Sequence, residues 1–589
     1  MVPRLTAALL ATAALALPAA AAAAGVPGRE SDPIVVTGAD VPALLGVEPG
    51  RVVAFRWDGG WTQVPVQVDQ RTMVDYAAVR HQHQTGGRPF SHLAYADPGT
   101  FAGPDSDPAL DSDDELAAMA LDAGDGAPVG AGDPSGVERG TRVELRIADP
   151  VDPGPTHFLY LFRSTGALDP SAGRDYVSYR FSLNSGDYKS TYSFNGVPGG
   201  DSTSSGPPAN PENSLVDSDY YRERFASRWI TDELGIRAPG SSGADVLDGD
   251  KAQVSFGCGR SELTFSRGGG GFIANIDGPV RAIRSYIGAN SGTYTQRDQV
   301  FYQRSQVDRT YLRVHPGIAT ISQFIDYSAA ASGMTYRTSA APGGVIVDGS
   351  PDPSIETGTT PGAPFTWEQA TGQQGTLSIV SRLSTNLPNL GLGSYYEDTA
   401  SPAASQCSGY ADSRTYGASG LVVTNAGLNT DPTLEGAYGP AYNFTATRRI
   451  YFSEPGGDAA LAAMRASQVD APLQVSLGAP DSSDLRLRSR KLRRAPVGAS
   501  KKLRVLVSNR ADAAVSGIRL CASGKRKLVR VGRCHRLGEI TAGEQRKAFV
   551  RVRLRPRALG RKAVNVRITL EVGGVSVNDA RLRVRPRRG

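Results

Sequence analysis

The sequence of 589 residues lacks the short motifs that mark the commonest enzyme classes. It contains no G-x-S-x-G elbow, no HExxH helix, no S-x-x-K pair, no Walker loop and no dinucleotide-binding glycine loop. Each of these motifs places a nucleophile, a zinc ion or a phosphate group at a defined point of a local structure. Their absence disfavours serine hydrolases, zinc proteases, nucleotide-dependent enzymes and Rossmann oxidoreductases. We therefore expect no nucleotide partner and no organic cofactor.

Cysteine is also scarce, with four residues in the chain. No C-x-x-C pair or Cys/His zinc spacing is present, so a structural zinc is not expected. Cys521 and Cys534 lie close together in one basic segment and are predicted to form a disulfide. Cys258 and Cys407 are then left to each other across a long loop, although four cysteines permit three pairings. Four cysteines fit an oxidising compartment.

Long apolar runs are missing after the first 24 residues. No later stretch approaches the roughly 18 uninterrupted apolar residues of a membrane-spanning helix. Residues 1–24 have one Arg, an apolar Leu/Ala run and then Ala22-Ala23-Ala24 before Gly25. This order predicts a signal peptide cleaved near Ala24. We expect a secreted or cell-surface protein without a transmembrane segment in the mature chain.

The composition favours a mostly β fold. Gly 68 and Pro 39 accompany many short Val, Ile, Tyr and Thr runs, which predicts strands separated by turns. We expect a large antiparallel β-sandwich-type domain over 25–476, formed of one or two subdomains, with one or two short helices. One helix is predicted at 458–468. The other is predicted at 218–237, where Tyr221, Phe225 and Trp229 recur at four-residue spacing.

Charge divides the chain into two unequal parts. Residues 485–589 contain 31 Lys/Arg and five Asp/Glu, a formal charge of +26, whereas residues 1–484 sum to −20. A linker at 477–484 precedes this basic segment, whose alternating strands predict a small immunoglobulin-like β-sandwich. Such a split predicts contact with anionic matter. Outside a cell this indicates an anionic cell-envelope polymer or polysaccharide, and nucleic acid is not expected because interleaved aromatics are absent.

The basic segment carries a family resemblance. VLVSNRADAAVSGIRLC and GRCHRLGEITAGEQRKAFVRVRLRP resemble the bacterial cell-adhesion-related (CARDB-type) immunoglobulin-like domains. Asn509, Gly538, Ile540 and Gly543 match that pattern, while Arg510-Ala511 stands where glycine is commoner. The resemblance covers the last fifth of the chain and implies an attachment module without catalytic residues. The larger part resembles exported β-rich proteins of high-GC bacteria, which implies no activity.

The densest acidic stretch, DSDPALDSDDELAAMALDAGDG over 105–126, raises the question of calcium. Asp111, Asp113 and Glu115 offer carboxylates at alternate positions, and Asp105, Asp107 or Asp114 could add another. Glycine is absent at the sixth position and no glutamate closes the loop at the twelfth, so the EF-hand pattern is not met. The alternatives are one calcium site or a solvated acidic loop entering a strand.

Two further groups of residues could bind a ligand or take part in a reaction. His81, His83 and His92 form one histidine cluster, either a metal site or histidines without a ligand. Tyr302, Arg284 and His315 lie in a segment rich in Arg, Tyr, Asn and Gln that could line a sugar-binding groove. Polysaccharide lyases of sandwich folds resemble this in needing a Tyr or His beside an Arg. The alternative is the ordinary polar face of a half-solvated sheet.

The sequence thus supports two functional hypotheses. The first is a secreted or cell-surface binding protein of unknown ligand, with a basic C-terminal attachment module. The second is a carbohydrate-active enzyme, lyase-like or a hydrolase, with that module as its anchor. A cleft that brings Tyr302, Arg284 and His315 together would favour the enzyme.

Overall fold

The structure of the chain is a computed structural model. The residues it describes are 25–75, 91–128, 131–184, 212–225, 231–255, 269–289, 295–312, 320–355, 362–385, 390–400, 415–424, 444–477, 485–489, 492–509, 515, 517–532, 534–541, 543–572 and 575–588. Within them the chain is mostly β, as the sequence predicts, with antiparallel sheets packed face to face.

The strands and the helix follow one another along the chain in this order. The first thirteen strands are β1 (Pro33–Thr37), β2 (Val52–Trp57), β3 (Trp61–Val64), β4 (Gln67–Asp69), β5 (Arg71–Asp75), β6 (Ser91–Tyr95), β7 (Glu115–Met119), β8 (Val143–Ala148), β9 (His157–Arg163), β10 (Ser178–Arg180), β11 (Ser214–Asp217), β12 (Tyr221–Phe225) and β13 (Thr231–Ile236). Next come β14 (Leu247–Ser255), β15 (Gly269–Ile276), β16 (Ala282–Ala289), β17 (Thr295–Phe301), β18 (Ser305–Leu312), β19 (Thr320–Tyr327), β20 (Thr335–Thr338), β21 (Val345–Ile346), β22 (Glu368–Gly372), β23 (Gly375–Thr385), β24 (Gly391–Glu397), β25 (Ala418–Thr424), β26 (Phe444–Ser453), helix α1 (Ala459–Asp470) and β27 (Gln474–Leu477). The last are β28 (Leu485–Ser489), β29 (Leu492–Pro496), β30 (Ser500–Asn509), β31 (Ile518–Gly524), β32 (Val529–Val531), β33 (His535–Arg536), β34 (Gln545–Leu554), β35 (Val564–Val572) and β36 (Val575–Arg587), and single 3-10 turns occur at Pro49–Arg51, Ala120–Asp122, Ala329–Ala331 and Pro556–Ala558.

A nine-stranded sheet with the order β15-β16-β17-β18-β26-β23-β22-β20-β21 is the centre of the larger part. Side chains alternate between its two faces because a strand has a period of two. One face, including Phe301 and Ile450, packs against the sheets β10-β11-β12-β13 and β14-β19-β25-β24. The opposite face, including Val300 and Val307, packs against β6 and β7. Helix α1 covers that same face at Tyr451.

Two smaller sheets complete the larger part around an aliphatic core. Their orders are β1-β7-β4 and β27-β8-β9-β2-β3, and β5 and β6 form a separate hairpin. A hairpin turns at Asp58-Gly59-Gly60, where β2 pairs with β3 and Gly59 has φ of 74°, a value that favours glycine. The strand β3, which precedes Pro65, lies at the edge of its sheet, where proline is tolerated.

The second sandwich, β28 to β36, has its own continuous core. The sheets β28-β30-β34-β32 and β29-β36-β35-β31-β33 enclose an aliphatic cluster that runs from Leu485 to Val584. Alternation is regular in β34, where Ala548, Val550 and Val552 are buried and the residues between them are exposed. The pair β29 and β36 is parallel, an exception to the antiparallel pattern.

Of the two predicted helices, one is confirmed and one is wrong. The segment predicted at 458–468 forms α1, capped by the Asp458 carboxylate, which accepts from the Leu461 amide. The segment predicted as helix at 218–237 contains β12 and β13, which pair antiparallel. Its four-residue aromatic spacing also fits a strand, because Tyr221, Glu223 and Phe225 all point inward. No helix in the described ranges is long and apolar enough to cross a membrane.

Candidate functional site

The acidic loop before β7 brings three carboxylates together. Ligand oxygens of Asp111, Asp113 and Asp114 lie within 4.8 Å of one another. The Asp114 carboxylate accepts from the backbone amides of Arg71 and Asp111, each at 2.9 Å. A hydrogen bond between the Asp111 and Asp113 side chains raises the pKa of Asp113 to about 6 and lowers the pKa of Asp111, which accepts the bond. The three groups could hold a cation, and their hydrogen bonds also account for the shape of the loop without one.

Glu115, the third ligand of the predicted calcium site, does not join this cluster. It is the first residue of β7, and its side chain lies against Arg281 with an Nη2–Oε2 distance of 2.8 Å. The same carboxylate accepts from the Tyr95 hydroxyl at 2.9 Å and faces Arg71 at 3.3 Å. Burial raises its pKa, but Arg281 and then Arg71 outweigh burial and hold the pKa of Glu115 below its usual value. Asp114 therefore takes the place predicted for Glu115.

Arg281 is the centre of a buried ionic cluster between the N-terminal sheets and the nine-stranded sheet. Its guanidinium is 2.7 Å from the Asp69 carboxylate, and both side chains are 2% exposed. The Gln67 amide oxygen accepts from the Arg281 backbone amide at 3.0 Å. The Tyr95 ring lies 5.5 Å from the guanidinium carbon. No side-chain nitrogen or oxygen atom of these residues is buried without a hydrogen-bond partner, which is typical of a structural ionic cluster.

Tyr302 lies beside this cluster, on the same face of the sheet. It is buried with Tyr95 and Val307, and its phenol interacts electrostatically with Arg281, Arg309 and Arg449. Arg309 is half-buried, and within the described residues it forms no ion pair. It stands opposite Asp298, whose carboxylate accepts from the Gln296 amide at 2.9 Å. Tyr302 is 3% exposed, so it belongs to the buried core on this face of the sheet.

The predicted triad of Tyr302, Arg284 and His315 does not form a cleft in the described structure. Arg284 points to the opposite face of the sheet, where it pairs with Glu212 at 2.6 Å; both side chains are 0% exposed. Its guanidinium also packs over the Phe225 and Phe272 rings. Arg284 is therefore buried in the sandwich core, and alternation along the strands separates it from Tyr302.

Several predicted residues lie outside the described residues. They are His315, His81, His83, Cys258 and Cys407. His92 lies in β6, opposite Val74 of β5. The predicted disulfide between Cys521 and Cys534 is present.

The outward face of β28-β30-β34-β32 in the second sandwich is cationic throughout. We call it face 1, and its eight exposed cations are Arg486, Arg488, Lys502, Arg504, Arg530, Lys547, Arg551 and Arg553. Cations stand directly opposite cations, with Lys502 facing Arg551 and Arg530 facing Arg553. No described residue on the outward face of these strands is acidic. Phe549, 48% exposed, lies in the middle of the face.

The outward face of β29-β36-β35-β31-β33, face 2, is cationic too but contains acids. Arg567 of β35 stands opposite Arg581 of β36, and Arg494 stands beside Arg585. Asp579 pairs with Arg567 at 3.1 Å, and both of these side chains are exposed. The second sandwich thus presents positive charge on both sides. Alternation in FVRVRLRPR places the cations of β34 on one face, and the pairing of strands adds the cations of the neighbouring strands.

Comparison with known proteins gives no family. No protein-family model and no curated protein matches the chain. An α-N-acetylgalactosaminidase of Bifidobacterium bifidum in complex with GalNAc is similar over 48% of this chain, with 10% identity and a TM-score of 0.28; the chain spans 44% of its length. An α-mannosidase from Enterococcus faecalis V583 is similar over 87% of this chain and 57% of its own, with 9% identity and a TM-score of 0.31. A Porphyromonas gingivalis W83 protein of unknown function is similar over 36% of this chain and 90% of its own, with 11% identity and a TM-score of 0.14. Likeness at this level indicates no activity for the chain.

Proposed function

We propose that the chain is an exported binding protein that attaches to an anionic envelope polymer through its second sandwich. The observation that carries the proposal is face 1, where cations oppose cations without an acidic residue among them. Like charges directly opposite each other on a sheet are destabilising, and a bound polyanion removes that cost. The signal peptide predicted over residues 1–24 supports export, and the resemblance to CARDB-type domains supports attachment.

A polymer fits face 1 better than a compact ligand does. The eight cations are spread over four strands that lie about 4.8 Å apart, so a small anion could contact only a few of them. Phe549 offers an exposed ring among them, on which the apolar face of a sugar could pack. A chain of charged sugars or sugar phosphates therefore matches the surface in both charge and shape.

Co-sedimentation of the full chain with insoluble anionic and neutral polysaccharides tests the proposal. At about 0.15 M salt, where charges more than about 8 Å apart are screened, we expect retention on the anionic polymer alone. The variant Lys502→Gln/Arg551→Gln/Arg553→Gln should lose most of this retention. A matched variant, Arg139→Gln/Arg146→Gln/Arg180→Gln, removes three exposed cations from the larger part and should keep it. Equal losses in the two variants, or equal retention on the neutral polymer, would contradict the proposal.

A further inference from the structure

Face 2 contains a shallow depression in which four cations converge. It has a volume of about 480 Å³, and its lining residues are Arg561, Lys562, Ala563, Asn565, Arg581 and Arg583. Arg581 and Arg583 project from β36, and Asn565 of β35 stands opposite Arg583. Arg561 and Lys562 come from the turn that leads into β35. Two separate backbone segments therefore place cations around one small volume, and a third, β35, adds the neutral Asn565.

None of these four cations is neutralised within the described part of the chain. Arg561, Lys562, Arg581 and Arg583 form no ion pair and no side-chain hydrogen bond there. The nearest acid along β36 is Asp579, and its carboxylate pairs with Arg567, outside the depression. Arg581 also faces Arg567 across the strands, so its cationic surroundings extend beyond the depression. Four formal charges thus remain uncompensated at one place.

We infer that this depression is a binding site for a phosphate group, and the inference rests on the proposed attachment to an anionic polymer. The phosphate would be a repeating group of that polymer or free phosphate of the same chemistry. The guanidinium groups of Arg581 and Arg583 each offer two parallel N–H donors that match two phosphate oxygens. Arg561 and Lys562 supply charge from the opposite rim, and Asn565 supplies a neutral donor.

Charge and shape favour phosphate over carboxylate at this position. A carboxylate has one negative charge and two coplanar oxygens, so one guanidinium satisfies it. A phosphate has oxygens directed tetrahedrally and can accept from cations that approach from several sides. The cations here come from one strand and from a turn at the opposite rim, which suits the tetrahedral acceptor. Face 1 differs because its cations are spread along four strands.

Binding of the full chain to two immobilised polymers tests the inference. The polymers are a poly(glycerol phosphate) and a polygalacturonate of equal charge density. The test variant is Arg581→Gln/Arg583→Gln, and the matched control is Lys502→Gln/Arg551→Gln, which removes the same charge from face 1. We expect the test variant to weaken phosphate-polymer binding about tenfold more than the control does, since it removes two bidentate contacts. On polygalacturonate the control should weaken binding more than the test variant does, because face 1 is the surface proposed to attach to an anionic polymer.

Inorganic phosphate alone gives an independent measurement. At constant ionic strength, phosphate should release the wild-type protein from either polymer at a lower concentration than acetate does. In Arg581→Gln/Arg583→Gln, the two anions should release the protein at equal concentrations. Equal losses for both variants on both polymers, with phosphate no better than acetate, would overturn the inference.

If the wild type binds neither polymer, the proposed attachment fails. The depression is then judged by whether phosphate raises the midpoint of thermal unfolding in the wild type and not in the variant. Such a rise would assign the site to free phosphate, and its absence would overturn the inference.

Discussion

In the larger part, we expect the loss of one buried charged side chain to lower stability more than the loss of a charge from an exposed ion pair. Arg281 joins Asp69 and Glu115 from segments more than a hundred residues away in sequence. Removing one partner of a buried pair leaves the other charge without compensation. An exposed pair has little such effect because water replaces the lost partner.

Replacing Arg281 with glutamine should therefore lower the free energy of unfolding by about 3–5 kcal/mol. The Asp69 carboxylate, 2% exposed, would lose its guanidinium. Urea unfolding followed by tryptophan fluorescence measures this, since all four tryptophans precede residue 485. The control Arg146→Gln breaks a more exposed pair with Glu144 and should change the free energy by less than about 1 kcal/mol. Equal effects of the two substitutions would show that the Arg281 cluster has no special role.

Asp122 should make stability depend on pH. Burial raises the pKa of its carboxyl to about 6, above the ordinary value of 3.8, with the Tyr176 hydroxyl and nearby arginines partly opposing burial. Because the pKa of Asp122 is higher in the folded state than in the unfolded state, the stabilisation that comes from its protonated carboxyl is complete below pH 3.8. It is lost as pH rises through 6.

The variant Asp122→Asn cannot ionise and should avoid that loss. Between pH 4 and pH 8, its free energy of unfolding relative to the wild type should improve by about 1–3 kcal/mol, which corresponds to the raised pKa. The comparison across pH cancels any constant effect of the new amide. Urea titrations at both pH values measure the change. An identical difference at the two pH values would mean that Asp122 titrates normally.

At the residue scale, the sequence predicted local pairings and missed distant ones. The Cys521–Cys534 disulfide could be predicted because the two residues are close in sequence, within one segment of short strands. The calcium hypothesis put Glu115 with Asp111 and Asp113 because of their spacing. That spacing ends where β7 begins, and Arg281, which holds Glu115, is 166 residues away. Neither the pairing of strands nor its register could be obtained from one sequence.

At the scale of elements, the incorrect helix at 218–237 has a specific cause. Buried Glu223 lies between Tyr221 and Phe225 on the inward side of β12, so the apolar alternation that signals a strand is interrupted. What remained visible was a four-residue aromatic spacing, which a helix and a strand share. Tyr221 is held by stacking on Phe452 of β26, with ring centroids 4.0 Å apart. A tertiary contact therefore decides the element, and periodicity does not.

The disulfide gives a prediction for the elements β31 to β35. Cys521→Ala/Cys534→Ala opens a loop of 13 residues and should reduce the stability of the second sandwich by about 2–4 kcal/mol. Hydrogen–deuterium exchange of peptides from β31 and β35 should become faster, while peptides from β2 and β9 should not change. Reduction of the wild type with a thiol serves as the control and should give the same pattern. Unchanged exchange in β31 would mean that the core of the sandwich alone sets its stability.

At the scale of the whole molecule, charge is distributed so that one sandwich is strongly basic and the rest is acidic. The sequence predicted both the mostly β fold and this asymmetry, because strand alternation and charge counts are local properties. It could not show that both faces of the second sandwich are cationic, because that depends on which strands pair. The central claim is that face 1 binds an anionic polymer by charge.

The most direct test is the affinity of the full chain for a soluble anionic polysaccharide as a function of salt concentration. Binding by charge releases counterions, so the logarithm of the affinity should fall linearly with the logarithm of the salt concentration. In Lys502→Gln/Arg551→Gln/Arg553→Gln that slope should be smaller by about 2–3, or about 0.7–0.9 for each lost contact as with nucleic acids. A wild-type slope near zero, or the same slope in the wild type and the variant, would contradict the account.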